Sequence, residues 1–365
     1  MARSREMRLL DHGSTLAADL LAWYGRHHRD LPWRRAPSPY RSLVSELMLQ
    51  QTVVATVVPY FDRFIARFPD FRALAAARED DVLAAWSGLG YYARARHLHR
   101  AAKLVVSRWD GRLPDDESAL RDLPGVGEYT AASVAAIAFG KPTFALDGNA
   151  ARVMARLADV PAPTSLTVTR KRLRALGLSL VPRDRPGDFQ QAVMELGALV
   201  CVPGRPRCDT CPVRGHCLGL AAGRAARIPP RVAPPPRRPV YLACALVVRG
   251  GRVLLVRRES GDLLAGTWAL PAKEVSRRSG AAPVAGAAAR AAAVGMGVKP
   301  DGAVRYAGRV RHIFTHRDVT ADVFAVAPTG KVPTGERARW ADAAELAGLA
   351  VSSFTRKTLR AGNFA

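Results

Sequence analysis

Twelve residues from Ile228 to Pro239, IPPRVAPPPRRP, contain six prolines, and they limit the chain's architecture more than any other stretch. Each proline removes a backbone donor and fixes φ, so the run continues neither a helix nor a central strand and stays extended. The periodicity differs on its two sides. Before it, apolar residues recur at helical spacing, as in Leu43, Val44, Leu47 and Met48, or Val153, Met154 and Leu157. After it, ALVVRGGRVLLVRR from Ala245 to Arg258 is two β-rich runs around Gly250 and Gly251, a hairpin signature. Further β-like runs occupy Arg309 to His316 and Val319 to Val326, while the Ala-rich stretch Ala281 to Val294 reads either as that half's main helix or as a surface loop. The expectation is a mainly α domain over residues 1–228, a linker over 229–238 and an α+β domain over 239–365. At 365 residues the chain is long enough for two cores.

Charge narrows the choice of partner. There are 55 Lys and Arg against 31 Asp and Glu, a formal charge of +24, which suits a polyanion. Charge alone names no substrate, because Arg and Ala enrichment also follows the base composition of coding DNA. Arg3, Arg5, Glu6, Arg8 and Asp11 interrupt the first residues, so there is no apolar core of a signal peptide. The small apolar stretch Thr130 to Gly140 is too short for a membrane span and reads as a buried helix. A cytoplasmic monomer, nucleoid-associated in a bacterium and with no membrane partner, is expected.

Four of the five cysteines crowd into one segment: Cys201, Cys208, Cys211 and Cys217 are separated by six, two and five residues. A disulfide framework would spread through the fold, so the crowding points to a metal centre. Four thiolates suit structural zinc or a [4Fe–4S] cluster. Zinc ribbons usually present two CxxC pairs, and here only Cys208 and Cys211 form one, so the spacing leans toward iron–sulfur. Arg205 and Arg207 stand on the intervening loop, VPGRPR, where guanidinium groups can meet phosphates or simply be solvated. Cys244 lies in an apolar run and reads as a core residue.

Gly125, Val126 and Gly127 lie in LPGVG between two helical patterns. Glycines there allow a tight turn that aims N–H groups at a phosphate, although an ordinary helix–helix connection has the same composition. Two acidic residues offer acid and anion chemistry. A protonated carboxyl can give up its proton while an ionised one meets developing positive charge. Glu46, flanked by Leu43, Leu47 and Leu49, would have a raised pKa in such a setting and serve as the acid; Asp147 would be the anion. Taken alone, Glu46 also fits a solvated stripe with Ser42 and Gln50, and Asp147 an ordinary cap.

The motifs together resemble a known family. LPGVGEYTAA followed by ALDGNAARV is similar to the helix–hairpin–helix DNA glycosylase superfamily, and LPWR, SELMLQQT, GLGYYARARHLH and ELGALVC resemble MutY-type adenine glycosylases through most of residues 17–220. The six-two-five cysteine pattern resembles the [4Fe–4S] site of endonuclease III and MutY glycosylases. The resemblance implies that Glu46 protonates adenine N7, that Asp147 stabilises the sugar intermediate and that Asn149 assists. It implies that Trp33, Arg34, Leu49 and Gln191 surround the flipped adenine, and that Gln51 and Tyr91 intrude into the duplex near 8-oxoguanine. Arg205 and Arg207 would contact DNA. The expected partner is duplex DNA with an A:8-oxoguanine or A:G mispair, repaired by base excision.

Endonuclease III has a lysine nucleophile where this chain has Tyr129. A Schiff base needs an amine, so a monofunctional enzyme leaving an abasic site is expected. Residues from about 239 onward resemble the Nudix-like domain of MutY, with GTWALP from Gly266 to Pro271 the clearest piece. No Asp or Glu occurs between Glu274 and Asp301, where a working Nudix helix would hold metal, so binding is favoured over nucleotide hydrolysis. The family reads 8-oxoguanine with a Phe-Ser-His turn; here the turn is Phe314, Thr315 and His316, and Thr315 keeps the hydroxyl while adding a methyl. Two rivals stay open at this level: an endonuclease III-like pyrimidine glycosylase/lyase, and a non-catalytic, cluster-bearing DNA-binding protein.

Overall fold

The structure, a computed structural model, describes residues 7, 9–230, 232–259, 261–276, 282–330, 332 and 334–364. By compactness the chain divides into two units, Met1–Ala75 with Arg100–Ala233, and Ala76–His99 with Pro234–Ala365. Among the described residues no helix is long and apolar enough to cross a membrane.

The first unit is helical, and four of its helices, Pro39–Leu49, Glu128–Phe139, Gly148–Leu157 and Pro186–Leu199, position the site. Helix Pro39–Leu49 starts at a Ser38 cap that accepts from the Arg41 N–H, with proline in its first turn. It buries Leu43, Val44, Leu47 and Met48. Helix Glu128–Phe139 is the buried helix expected from the Thr130 to Gly140 stretch, and it ends at Gly140 in the left-handed conformation. Its alanines 131, 132, 135 and 136 are almost wholly buried. Small side chains let it lie against both Pro39–Leu49 and Pro186–Leu199. The approach is tight enough that a Cβ on Gly187 would stand 2.7 Å from the carbonyl oxygen of Ala136. Leu16, Leu20, Phe144, Met154, Leu173, Phe189 and Leu196 form one continuous core, and Cys201, Cys211 and Cys217 pack onto its edge.

The second unit is a mixed sheet with helices on both faces. Its strands are β1 (Arg238–Arg249), β2 (Arg252–Arg257), β3 (Trp268–Ala269), β4 (Ala272–Val275), β5 (Lys299–Ile313), β6 (Arg317–Thr329) and β7 (Ala338–Ala341). The order is β3-β2-β1-β6-β5, with β4 also pairing β1 and β7 pairing β2. β1 and β2 form the hairpin expected around Gly250 and Gly251. β1 runs parallel to β6 from Arg238↔Arg317 to Val247↔Val326. Alternation sends Val240, Cys244 and Leu246 to one face, against Phe354 and Leu359 of helix Ser353–Ala361. It sends Ala243, Ala245 and Val247 to the other, against Ala285, Ala289 and Ala293. The Ala-rich stretch is therefore a helix, Ala282–Val294, whose small side chains let it lie close on the sheet. Cys244 is the core residue expected.

Residues 76–99 join this second unit through specific bonds. Ser87 Oγ and Tyr92 OH both donate to the Val351 carbonyl, at 2.9 and 3.3 Å. Arg257 pairs with Asp80 at 2.6 Å, and Arg96 donates to the Ala265 carbonyl.

Candidate active site

A cavity of about 880 Å³ opens in the first unit, and Glu46, Asp147, Asn149, Tyr129, Trp33, Arg34, Leu49, Gln51 and Gln191 all line it. Nine residues scattered over the first 191 positions thus meet in one place.

Glu46 is buried, and its Oε1 accepts from Ser133 Oγ at 3.0 Å, one turn beyond Tyr129 on helix Glu128–Phe139. Its Oε2 is buried with no hydrogen-bond partner among the described residues. Burial pushes the carboxyl up to about 7, against the pull of Tyr129 and Ser133 hydrogen bonds and with a further push from Asp147. It is not on a solvated stripe, for Ser42 is buried as well. Asp147 lines the same cavity and is also the N-cap of helix Gly148–Leu157, accepting from the Ala150 N–H at 2.6 Å. The capping and catalytic readings of this residue are therefore compatible. Burial raises its pKa, while the N–H groups of Ala150 and Asn149 and the charges of Arg152 and Arg170 pull it back. The two carboxyls share one cavity, and the charge of Asp147 adds to the push on Glu46. Tyr129 is held well above the phenol range, chiefly by burial, and stays a neutral hydroxyl.

The opposite wall is a polar network. Glu195 takes hydrogen bonds from Arg29 Nε and Nη2 at 2.8 and 2.9 Å and from Arg34 Nη2 at 3.0 Å. Burial works against its charge, but these bonds hold it down to about 2. Arg34 Nε donates to Gln191 Oε1 at 3.0 Å, and its guanidinium lies over the Tyr24 ring at 5.5 Å. Trp33 stands edge-on to Phe61 at 5.3 Å. Gln51 leaves helix Pro39–Leu49 with φ of 57°, a left-handed conformation rare for a side chain of this size. Reasoning from sequence had passed over Ser133, Arg29 and Glu195; the signal within reach was that Glu195 lies one helical turn after Gln191.

Gly125, Val126 and Gly127 form the turn that enters helix Glu128–Phe139, with Gly125 at φ 81° and Gly127 as N-cap. The Gln50 amide donates to the Gly125 carbonyl at 3.4 Å, joining this turn to the end of the Glu46 helix.

Cys201, Cys208, Cys211 and Cys217 are free thiols that line a second, small pocket together with Arg156 and Arg207. No group of three or more metal-binding side chains among the described residues converges on one ion. Burial and the neighbouring sulfurs push Cys211 up to about 12 and Cys217 to about 11, and raise Cys208. Arg205 and Arg207 are exposed on the loop. Helix Gly148–Leu157 reaches this loop through two arginines. Arg156 donates to the Ile228 and Val202 carbonyls at 2.7 and 2.8 Å and to Cys201 Sγ at 3.3 Å. Arg152 donates to Asn149 Oδ1 and to the Cys201 carbonyl, both at 2.8 Å. One helix therefore carries Asp147 at its N-terminus and the braces of the cysteine loop along its length.

The remaining candidates, Tyr91, Phe314, Thr315 and His316, belong to the second unit. Tyr91 has φ of 50°, and Arg94 stacks on both its ring and that of Trp86, at 5.2 and 5.5 Å. The Tyr91 and Thr315 hydroxyls are hydrogen-bonded at 2.7 Å.

Residues 44–176 match the HhH-GPD superfamily of base excision DNA repair proteins, and residues 243–361 match the NUDIX domain family. The human adenine DNA glycosylase is 36% identical over 93% of this chain and 72% of its own length. The chain belongs to the adenine DNA glycosylase family. A Mycobacterium tuberculosis adenine DNA glycosylase is 43% identical over 66% of this chain and 77% of its own. Among solved structures, a thermostable thymine-DNA glycosylase overlays with a TM-score of 0.53 at 28% identity, covering 58% of this chain and 98% of that one. Endonuclease III in a non-covalent DNA complex shares the fold, with a TM-score of 0.50 at 21% identity over 59% and 98% of the two chains. The chain is thus a DNA N-glycosylase of the helix–hairpin–helix class with a Nudix-like domain after it, as the motifs implied.

Proposed function

We propose that the chain hydrolyses the N-glycosidic bond of adenine mispaired with 8-oxoguanine or guanine in duplex DNA and leaves an abasic site. The observation that carries this reading is a buried carboxyl, Glu46, bonded by Ser133 and raised by burial to about 7, in the same cavity as a second carboxyl, Asp147, held at the start of a helix by the Ala150 N–H. Glu46 gives its proton to the departing adenine. The Asp147 carboxylate faces the positive charge that develops on the sugar, and Asn149 is held beside it by Arg152. Water completes the hydrolysis. Trp33, Arg34, Leu49 and Gln191 surround the extruded base, whose unstacking Gln51 and Tyr91 assist as wedges.

No lysine lines the cavity among the described residues, which supports a monofunctional reaction over the lyase alternative. The positive net charge and the glycine turn at Gly125–Gly127 support binding of the duplex backbone, with Arg205 and Arg207 as further phosphate contacts. The turn Phe314–His316 reads 8-oxoguanine.

The four cysteines fit a [4Fe–4S] cluster. They form no disulfide among the described residues and line one pocket, and burial raises the thiols of Cys208, Cys211 and Cys217, a cost that a bound cationic centre would offset. Cys201, Cys208, Cys211 and Cys217 would hold it, and when bound it would supply that countercharge and cross-link the loop.

The test is single-turnover base release by iron-loaded protein on a duplex with adenine opposite 8-oxoguanine, beside the Asp147→Asn variant and a thymine glycol duplex. Adenine release that vanishes in the variant is expected. Tight binding without release would favour a non-catalytic DNA-binding protein, and cleavage only at thymine glycol an endonuclease III-like lyase. Borohydride trapping should give no adduct at a lyase's rate.

A further inference from the structure

The turn between β5 and β6 has its backbone fixed from several sides. The Phe314 N–H donates to the Arg317 carbonyl at 2.8 Å, the Arg238 N–H donates to the His316 carbonyl at 3.0 Å, and Arg237 Nε donates to the Phe314 carbonyl at 3.2 Å. The Phe314 ring, by contrast, is held by two other rings. His312, two residues back on the same face of β5, lies 4.5 Å from it at 54°, and Phe354 of helix Ser353–Ala361 lies 5.9 Å away, edge-on. His312 and Phe354 are themselves 5.7 Å apart, so the three rings form one cluster under the turn.

An imidazole is an odd third member for such a cluster. Its Nδ1 is buried and has no hydrogen-bond partner among the described residues, and a buried polar atom left this way calls for a functional account. As a lone pair Nδ1 is tolerable there. Protonated, it becomes an N–H with no acceptor and a charge between aromatic rings. Lys357, on the helix packed against it, adds repulsion, and burial together with that lysine lowers the His312 pKa. Across the sheet its partner is the apolar Val319. The nearest carboxylate along β6, Asp318, is engaged by Arg311 at 2.6 Å. Among the described residues, no anion is therefore placed to welcome a charged His312.

We propose that His312 is a positioning residue for lesion reading: its neutral ring fixes the Phe314 side chain, and its protonation frees that side chain within the turn. Discrimination between 8-oxoguanine and guanine is then lost in acid while the carboxyl chemistry of the helical unit is not addressed by it. The inference rests on the reading that the Phe314–His316 turn senses 8-oxoguanine.

The test measures affinities of the full iron-loaded chain for two duplexes carrying an uncleavable 2′-fluoro-adenosine, one opposite 8-oxoguanine and one opposite guanine, at about pH 7.5 and about pH 5. The parent's preference for 8-oxoguanine should fall several-fold in acid. His312→Phe keeps a ring but cannot titrate, and should hold the parental preference at both pH values. His312→Ala should lower the preference roughly three- to tenfold at both, the span expected for losing an aromatic contact. A His312→Phe variant with the parent's pH response would overturn the proposal, and so would a His312→Ala variant with the parent's preference. If His312→Ala does not fold, the His312→Phe arm decides alone. A parent without preference at about pH 7.5 overturns the lesion-reading turn itself, and the proposal with it; that outcome is distinct from a preference that ignores His312.

Discussion

Glu46, the proposed acid, shows what burying a carboxyl costs the fold. Its carboxyl, moved from an ordinary 4.5 to about 7 by burial, is destabilising whenever it is ionised. The contribution of a group with a raised pKa is fully present below the unfolded value and is lost as pH rises through the folded one. Glu46→Gln keeps the shape and an acceptor for Ser133 but has nothing to ionise. It should therefore unfold at higher denaturant than the parent at about pH 8, by on the order of 3 kcal/mol, and match it near pH 4. The same substitution should abolish adenine release while leaving binding to the mispaired duplex intact. In the parent, the single-turnover rate should decline as pH rises through about 7, because only protonated Glu46 can give its proton. A rate that stays level from about pH 6 to about pH 9 would show that another group protonates the base.

At the scale of elements, the site depends on how closely four helices approach, and glycine sets that distance. A Cβ on Gly197 would stand 2.7 Å from the Cβ of Asn149, so Gly197→Ala must push helix Pro186–Leu199 away from helix Gly148–Leu157. We expect a loss of about 1–3 kcal/mol, as for an overpacked core, and a fall in single-turnover rate larger than the loss in DNA affinity. Arg156 is the complementary case. Its guanidinium satisfies buried carbonyls of Ile228 and Val202, and Arg156→Met strands them. Each stranded group costs about 1–3 kcal/mol, so the melting temperature and the iron content of the purified protein should drop together.

These contacts also mark how far the sequence could be read. Helical spacing, the proline run and the motifs around Glu46, Asp147 and the cysteines lie within short windows; one cavity gathers the residues the first two motifs pointed to, and a separate pocket the cysteines. Glu195, Arg29 and Ser133 were not legible, because their partners stand far away in sequence: Arg29 and Glu195 are 166 positions apart. The Ala281–Val294 stretch was ambiguous because alanine favours a helix without showing which face is buried. Only the sheet, with its own row of small residues and Phe324, settles it.

For the whole molecule, the instructive segment is 76–99. In sequence it lies among the helices, yet its Ser87 and Tyr92 hydroxyls are spent on the Val351 carbonyl and its Asp80 on Arg257. Tyr91, moreover, is bonded to Thr315. A chain cut at residue 233 keeps Glu46, Asp147 and their cavity but deprives this segment of all these partners. Amide hydrogen exchange should therefore rise across 76–99 in the cut chain and change little in helices Gly13–His27 and Glu128–Phe139. Adenine release should persist, since the proposed carboxyls are untouched, whereas preference for 8-oxoguanine over guanine should collapse, because the turn proposed to read it is gone and Tyr91 has lost its Thr315 partner. Equal protection of 76–99 in both chains would mean that the helical unit holds this segment by itself. The loss of preference would then be owed to the missing turn alone.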